Sequence, residues 1–208
     1  MTSEINHPFT HNDYEIVKRE MLYQGIFRMV RNHVRHRRYN GEWTNVFTRE
    51  LMERRSAVGI LLYDPQLDRV VLIEQFRVGA IANPRGPWLI EIVAGIYNEN
   101  EKPADVAYRE AEEEAGAKVT AIHPVAEYFV SPGGSNEYIH LYIGKIDSTG
   151  IDGIHGLEEE NEDIRAFTLP ADEAFKLLND GHMLTSPVII TLQWLQINRE
   201  WLRKQWLT

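Results

Sequence analysis

Residues Arg109–Gly116 read REAEEEAG and place four glutamates within five positions. Like charges this close repel one another on a helix, so the run costs stability unless a cation offsets it. On a helix Glu110 and Glu114 stand one turn apart, and Glu113 lies three positions from Glu110. These three share a face, while Glu112 points away to solvent. Converging carboxylates supply the oxygen donors that a hard divalent cation such as magnesium or manganese takes, and such an ion keeps water for a phosphate-bearing substrate. Arg109, next in sequence, can order the acids through charge-assisted hydrogen bonds. The competing reading is a solvated charged face, for which no cation is needed.

The neighbouring sequence decides how such a patch is held. Pro103 suits a first helical turn and Gly116 a C-terminal cap, so a helix is expected from about Pro103 to Ala115. Val106, Ala107, Ala111 and Ala115 would form its buried stripe. The run GPWLIEIVAG reads as a strand ending at Gly95, where glycine permits close approach and an unusual backbone angle. That would turn the Ala94 carbonyl toward the same cation.

Around this centre the pattern alternates between strands and helices. Residues 1–13 read as a flexible lead. From Tyr14 to about Glu53 the chain is β-prone, with Asn40-Gly41 marking a hairpin. AVGILLYD and RVVLIEQFRV flank the turn DPQLD, and both are apolar enough to be buried on two faces. Two strands surround SPGGSNE, an acidic loop GIHGLEEENEDIR follows, and PADEAFKLLNDG and TSPVIITLQWLQINREWLRKQWL read as helices. The expectation is a mixed α/β (α+β) chain, with 14–54 a small β subdomain and 55–208 the main domain.

Composition limits the partners. The 208 residues carry 22 Lys and Arg against 31 Asp and Glu, a net charge of −9, which disfavours nucleic acid. The basic run RMVRNHVRHRR reads as the exposed face of a half-buried strand. Cysteine is absent, which removes disulfides, thiolate metal sites and cysteine nucleophiles. The polar start MTSEINHPFTHNDYE is no secretory signal, and no run reaches the roughly 18 apolar residues of a membrane span. A soluble, cytoplasmic protein with no membrane partner is expected. The eight histidines show no metal-ligand spacing. Trp194, Trp201 and Trp206 read as core or dimer packing.

Gly95, five residues, Glu101, seven residues and then Arg109-Glu110-Ala111-Glu112-Glu113-Glu114-Ala115-Gly116-Ala117 resemble the signature of the Nudix hydrolase family at every fixed position. Outside it VVLIEQFR, EIVAGI, SPGGSNE, GIHGLEEENEDIR and LQWLQ are similar to segments of bacterial ADP-ribose pyrophosphatases, as is Pro132, fifteen residues past Ala117. The resemblance implies an α/β/α sandwich with a small N-terminal β-sheet subdomain, and hydrolysis of ADP-ribose to AMP and ribose 5-phosphate with magnesium or manganese as cofactor. It implies metal ligation by the Ala94 carbonyl, Glu110 and Glu114, with Glu113 in or beside the shell. Glu160 matches the general base, and Glu162 is the alternative for that role or for a metal contact. Arg49 and Arg77 would hold phosphates and Glu137 the terminal ribose. The adenine would rest on the N-terminal subdomain of a homodimer partner, at Ile26 beside Phe27, where the family tends to carry an aromatic. Two alternatives keep the fold: hydrolysis of another nucleoside diphosphate sugar, such as GDP-mannose or ADP-glucose, and a sensor that binds ADP-ribose without cleaving it.

Overall fold

The computed structural model of the chain describes residues 7–98, 100–157, 159 and 161–207. It divides into two units, one comprising residues up to Arg54 with Phe129–Glu137, the other Arg55–Tyr128 with Tyr138 onward.

In the first unit β1 (Tyr14–Gln24), β2 (Arg28–His36) and β3 (Phe47–Glu53) form an antiparallel sheet in that order. Asn40-Gly41 lies in the connection of β2 to β3, where Gly41 takes a φ of 87° and donates its N–H to the Arg38 carbonyl at 2.8 Å. The end of the expected flexible lead is ordered. Thr10 and Asp13 cap a short 3-10 turn at His11–Asp13 reciprocally, each side chain meeting the other's backbone N–H. Two arginines of the basic run are paired with acids across the sheet: Arg31 meets Glu50 at 2.8 Å and Arg35 meets Glu15 at 2.6 Å. Exposed pairs of this kind add little stability. Their effect here is to reduce the positive field that a nucleic acid would need.

The second unit is built on β4 (Ala57–Asp64), β5 (Arg69–Phe76), β6 (Trp88–Glu91) and β7 (Val93–Ile96). There follow α1 (Pro103–Ala115), β8 (Ala121–Phe129), β9 (Tyr138–Lys145), β10 (Gly153–His155), β11 (Ile164–Pro170), α2 (Ala171–Asn179) and α3 (Ser186–Leu207). The main sheet path is β10-β11-β5-β4-β9-β8, with β6 beside β5 and β7 beside β4. β4 and β9 run parallel, and the pairs of β4 with β5 and β7 are antiparallel.

Side chains alternate across a strand, so a strand apolar at every position must be covered on both sides. β4 meets that demand. Val58, Ile60 and Leu62 pack with Val106, Ala107, Ala111 and Ala115 of α1. Leu61 and Tyr63 pack with Ala174, Val188, Leu192 and Leu195 of α2 and α3. β5 divides likewise, Val71 and Ile73 to one core and Val70 and Leu72 to the other. The result is the expected α/β/α sandwich. Each fully buried aliphatic here contributes about 1.5–3 kcal/mol, so the two cores far outweigh any surface pair. Trp194 and Trp206 lie against the second core, and Trp201 stays half exposed. Among the described residues no helix is long and apolar enough to cross a membrane.

The run GPWLIEIVAG, expected as one strand, is two. The ladder breaks at Ile92 because the chain changes neighbour there: Glu91 pairs with Ile73 of β5, whereas Val93 pairs with Ile60 of β4. Ile92 itself is buried.

Candidate active site

The helix α1 begins at Pro103 and ends where Gly116, at a φ of 58°, adopts the left-handed cap. Gly116 N–H bonds the Glu112 carbonyl at 2.9 Å, the αL closure, and Ala117 N–H bonds the Ala111 carbonyl at 3.0 Å. Before the helix, Glu101 closes the loop by accepting from the Asn98 backbone N–H at 2.8 Å and its side-chain amide at 3.0 Å. The backbone hydrogen bond from Asn98 is the main cause holding the Glu101 carboxyl below its ordinary value. The loop and cap thereby fix which helix face meets β7.

That face carries the acids. Glu114 is 4% exposed and accepts the Ala94 N–H at 2.9 Å. Glu110 packs so closely on β7 that a Cβ on Gly95 would lie 1.8 Å from its Oε1. Glycine is therefore required at 95 by contact, not by a turn. Glu110 also meets Arg109 at 2.7 Å, and the same guanidinium reaches Glu113 at 2.6 Å. Glu112 is exposed, as expected.

Burial sets the electrostatics. It pushes the Glu114 carboxyl up to about 8; the Ala94 N–H opposes that shift, and the charges of Glu110 and Glu162 add to it. Burial also raises Glu110, against the opposing pull of Arg109. A buried acid and a half-buried one that both resist ionisation form a donor set that a hard divalent cation would satisfy, so Glu110 and Glu114 fit the implied metal. Among the described residues no three acidic or histidine side chains converge on one point. Glu110 and Glu113 instead share Arg109, and Glu114 faces Ala94 N–H.

The acidic loop returns to this helix. Gly156 N–H approaches the Glu113 carbonyl at 3.4 Å. Glu162 closes the loop on Leu157, its carboxylate accepting the Leu157 N–H at 3.2 Å and its own N–H bonding the Leu157 carbonyl at 3.2 Å. Its charge acts on both Glu110 and Glu114. Glu160, matched above to the general base, lies outside the described residues. Arg77, at the end of β5, is held by Glu91 at 2.7 Å, and Gln75 meets the same carboxylate oxygen at 3.3 Å.

A model of the NUDIX domain matches residues 53–189. The chain belongs to this family. A Haemophilus influenzae protein named ADP-ribose pyrophosphatase is 42% identical over 207 residues, covering 98% of this chain and 95% of its own. An Escherichia coli K12 protein of the same name is 42% identical over 198 residues, covering 95% of each chain. A GDP-mannose pyrophosphatase of Cronobacter sakazakii is 36% identical over 151 residues, 72% of this chain and 78% of that protein. A solved structure described as an ADP compounds hydrolase superposes with a TM-score of 0.69 at 20% identity, covering 93% of this chain and 96% of that one. At that identity the likeness speaks to the fold alone.

Within the NUDIX domain Glu114 meets the Ala94 N–H, Glu110 and Glu113 share Arg109, and the charges of Glu162 and Arg77 act on Glu114 from a distance. The remaining candidates lie in the first unit. Glu137 accepts from Arg54 at 2.8 Å, and the Arg54 guanidinium lies 5.0 Å from the Phe27 ring. Ile26 is 97% exposed. Arg49 donates to the Thr48 carbonyl at 2.8 Å and covers Phe47 at 4.7 Å, apart from that trio. The sequence reading missed two partners. Glu91 is the lone acid in an otherwise apolar strand, which is itself the signal that a cation must meet it. Arg54 carries no such signal, because its partner Glu137 is distant in sequence.

Proposed function

We propose that this chain is a magnesium-dependent hydrolase that cleaves ADP-ribose to AMP and ribose 5-phosphate. The observation that carries the reading is the extent of the likeness. The relatives named ADP-ribose pyrophosphatase match 95% or more of this chain, first unit included, whereas the GDP-mannose relative matches 72%.

The Ala94 carbonyl, Glu110 and Glu114, with Glu113 beside them, would hold the cation. A divalent ion bound there neutralises phosphate charge and acidifies water. Arg77, and Arg49 from the first unit, grip the phosphate oxygens, for which the planar guanidinium fork is suited. Glu91 holds Arg77 ready by its hydrogen bond. Glu160 or Glu162 takes the proton of the attacking water and fixes its direction. The charge of Glu162 on Glu110 and Glu114 supports its candidacy. Glu137 orients the terminal ribose, and Ile26 and Phe27 receive the adenine.

Incubation with ADP-ribose and a panel of nucleotide sugars, with magnesium or chelator in ¹⁸O-water, tests this. Magnesium-dependent AMP that carries the label is expected, from attack at the adenosyl-side phosphorus. Label in ribose 5-phosphate overturns that side of attack. Preference for GDP-mannose moves the substrate. Binding of ADP-ribose without turnover makes the chain a sensor.

The first unit is proposed to serve a second copy of this chain, with 14–54 as the dimerisation and adenine-site subdomain and 55–208 as the hydrolase domain. Among the described residues of the first unit, Val30 alone is a fully buried hydrophobic, so its sheet has little core of its own. Along β1 the side chains of Tyr14, Ile16, Val17, Met21, Leu22 and Tyr23 are exposed, a stripe that partner chains commonly cover. Sedimentation at micromolar concentration is expected to give a dimer, and a monomer would sink this assignment.

A further inference from the structure

The β4 ladder and the Glu101–Asn98 bonds hold the backbone on either side of Gly95, against which Glu110 packs. The sheet register shows a further hold on the same segment. Gly95 of β7, Val58 of β4 and His140 of β9 form one row across three strands. Val58 belongs to the core beneath α1. Ile139 and Leu141, flanking His140, belong to the opposite core, so the His140 ring lies on the α1 side, as Glu110 does.

On that side the Tyr97 hydroxyl lies 2.9 Å from His140 Nε2. His140 Nδ1 lies 3.3 Å from Glu127 Oε1, and the Tyr138 hydroxyl donates to the other Glu127 oxygen at 3.2 Å. A carboxylate beside Nδ1 favours the proton there, which leaves Nε2 to accept from Tyr97. The Tyr97 ring packs against the core, and its N–H bonds the Ser56 carbonyl at 3.2 Å. The chain of contacts therefore runs from Glu127 on β8 through His140 on β9, over β4, to the residue that follows β7. One residue on, Asn98 is held by Arg55 at 3.2 Å and by Glu101.

We propose that Tyr97 is a positioning residue, oriented through His140 by Glu127, and that this strap fixes the Ala94–Gly95–Ile96 backbone against Glu110 and Glu114. It rests on the metal-site reading above. The substrate does not enter it. A freely moving segment would let Gly95 retreat from Glu110, and misplacing a ligand set weakens an ion far more than it weakens the fold.

The test is direct Mn²⁺ binding, read from the resonance of the free ion, with melting temperature recorded for each variant. Tyr97→Phe keeps the packed ring and removes only the hydroxyl. We expect it and His140→Ala each to weaken Mn²⁺ about tenfold, with melting shifts within about 3 °C. The double variant should bind no more weakly than either single variant, because both remove one interaction. His140→Gln, which retains a partner for Tyr97, should restore most of the affinity. Unchanged binding in Tyr97→Phe, additive losses in the double variant, or losses that only follow melting temperature overturn the strap. No Mn²⁺ binding by the wild type would overturn the metal-site reading, and the strap with it.

Discussion

Gly95→Ala is expected to reduce turnover more than about 100-fold while leaving the fold in place. The backbone at 95 is not in the left-handed region, so alanine is conformationally permitted. The obstacle is the Glu110 side chain, with Oε1 1.8 Å and Cδ 2.0 Å from where the new methyl would sit. Glu110 must swing away, and a displacement on the order of 1 Å in a ligand or positioning group costs about 10²-fold. The side chain can swing out toward Arg109, its existing partner, so the core beneath α1 is spared. Steady-state kinetics beside thermal melting checks this. Full turnover in a well-folded Gly95→Ala protein would show that Glu110 need not lie on β7.

Glu114→Gln separates stability from activity in the opposite direction. Turnover should fall at least as far as the roughly 10–100-fold that loss of an outer metal partner costs. The same protein in chelator should be more stable than the wild type. Burial raises the Glu114 carboxyl to about 8, so the folded chain holds a proton that the unfolded chain releases near its ordinary 4.5. Stability of the wild type therefore declines as pH rises from about 4.5 to about 8, relative to a variant with nothing to titrate there. Glutamine keeps an oxygen for the Ala94 N–H and removes the charge. At pH 8 the variant should gain about 1–3 kcal/mol. Below pH 4 the difference should vanish, since both side chains are then neutral in both states. Denaturant melts across pH, with chelator present, decide it. A variant less stable than the wild type at pH 8 would mean that Glu114 is not penalised by burial.

Much of this centre was legible in the residues alone. Pro103 and Gly116 mark both ends of α1 because one lacks an N–H that the first turn does not use and the other tolerates the left-handed cap. The two-sided apolar runs of β4 and β5 require helices on both faces, and helices cover them. The break at Ile92 was not legible. Apolar periodicity records burial, and Ile92 is as buried as its neighbours while the chain changes partner beneath it. Nor could helical geometry tell that Arg109 would divide itself between Glu110 and Glu113, since both lie within its reach. The contacts Arg54–Glu137 and His140–Tyr97 join segments far apart in sequence, where no local pattern operates.

β4 belongs to both cores at once, its odd and even positions committed to different helices. The second unit consequently has no layer that can be shed alone. Loss of α1 strips one side of the strand that α2 and α3 rely on, and the reverse holds equally. Such sharing makes unfolding of this unit cooperative, with no stable half to serve as an intermediate. If α1 holds the proposed ion, its coupling to the whole sheet gives that ion a hold on global stability. The free energy of such binding at α1 would be felt at α3, although the two helices lie on opposite faces of the sheet.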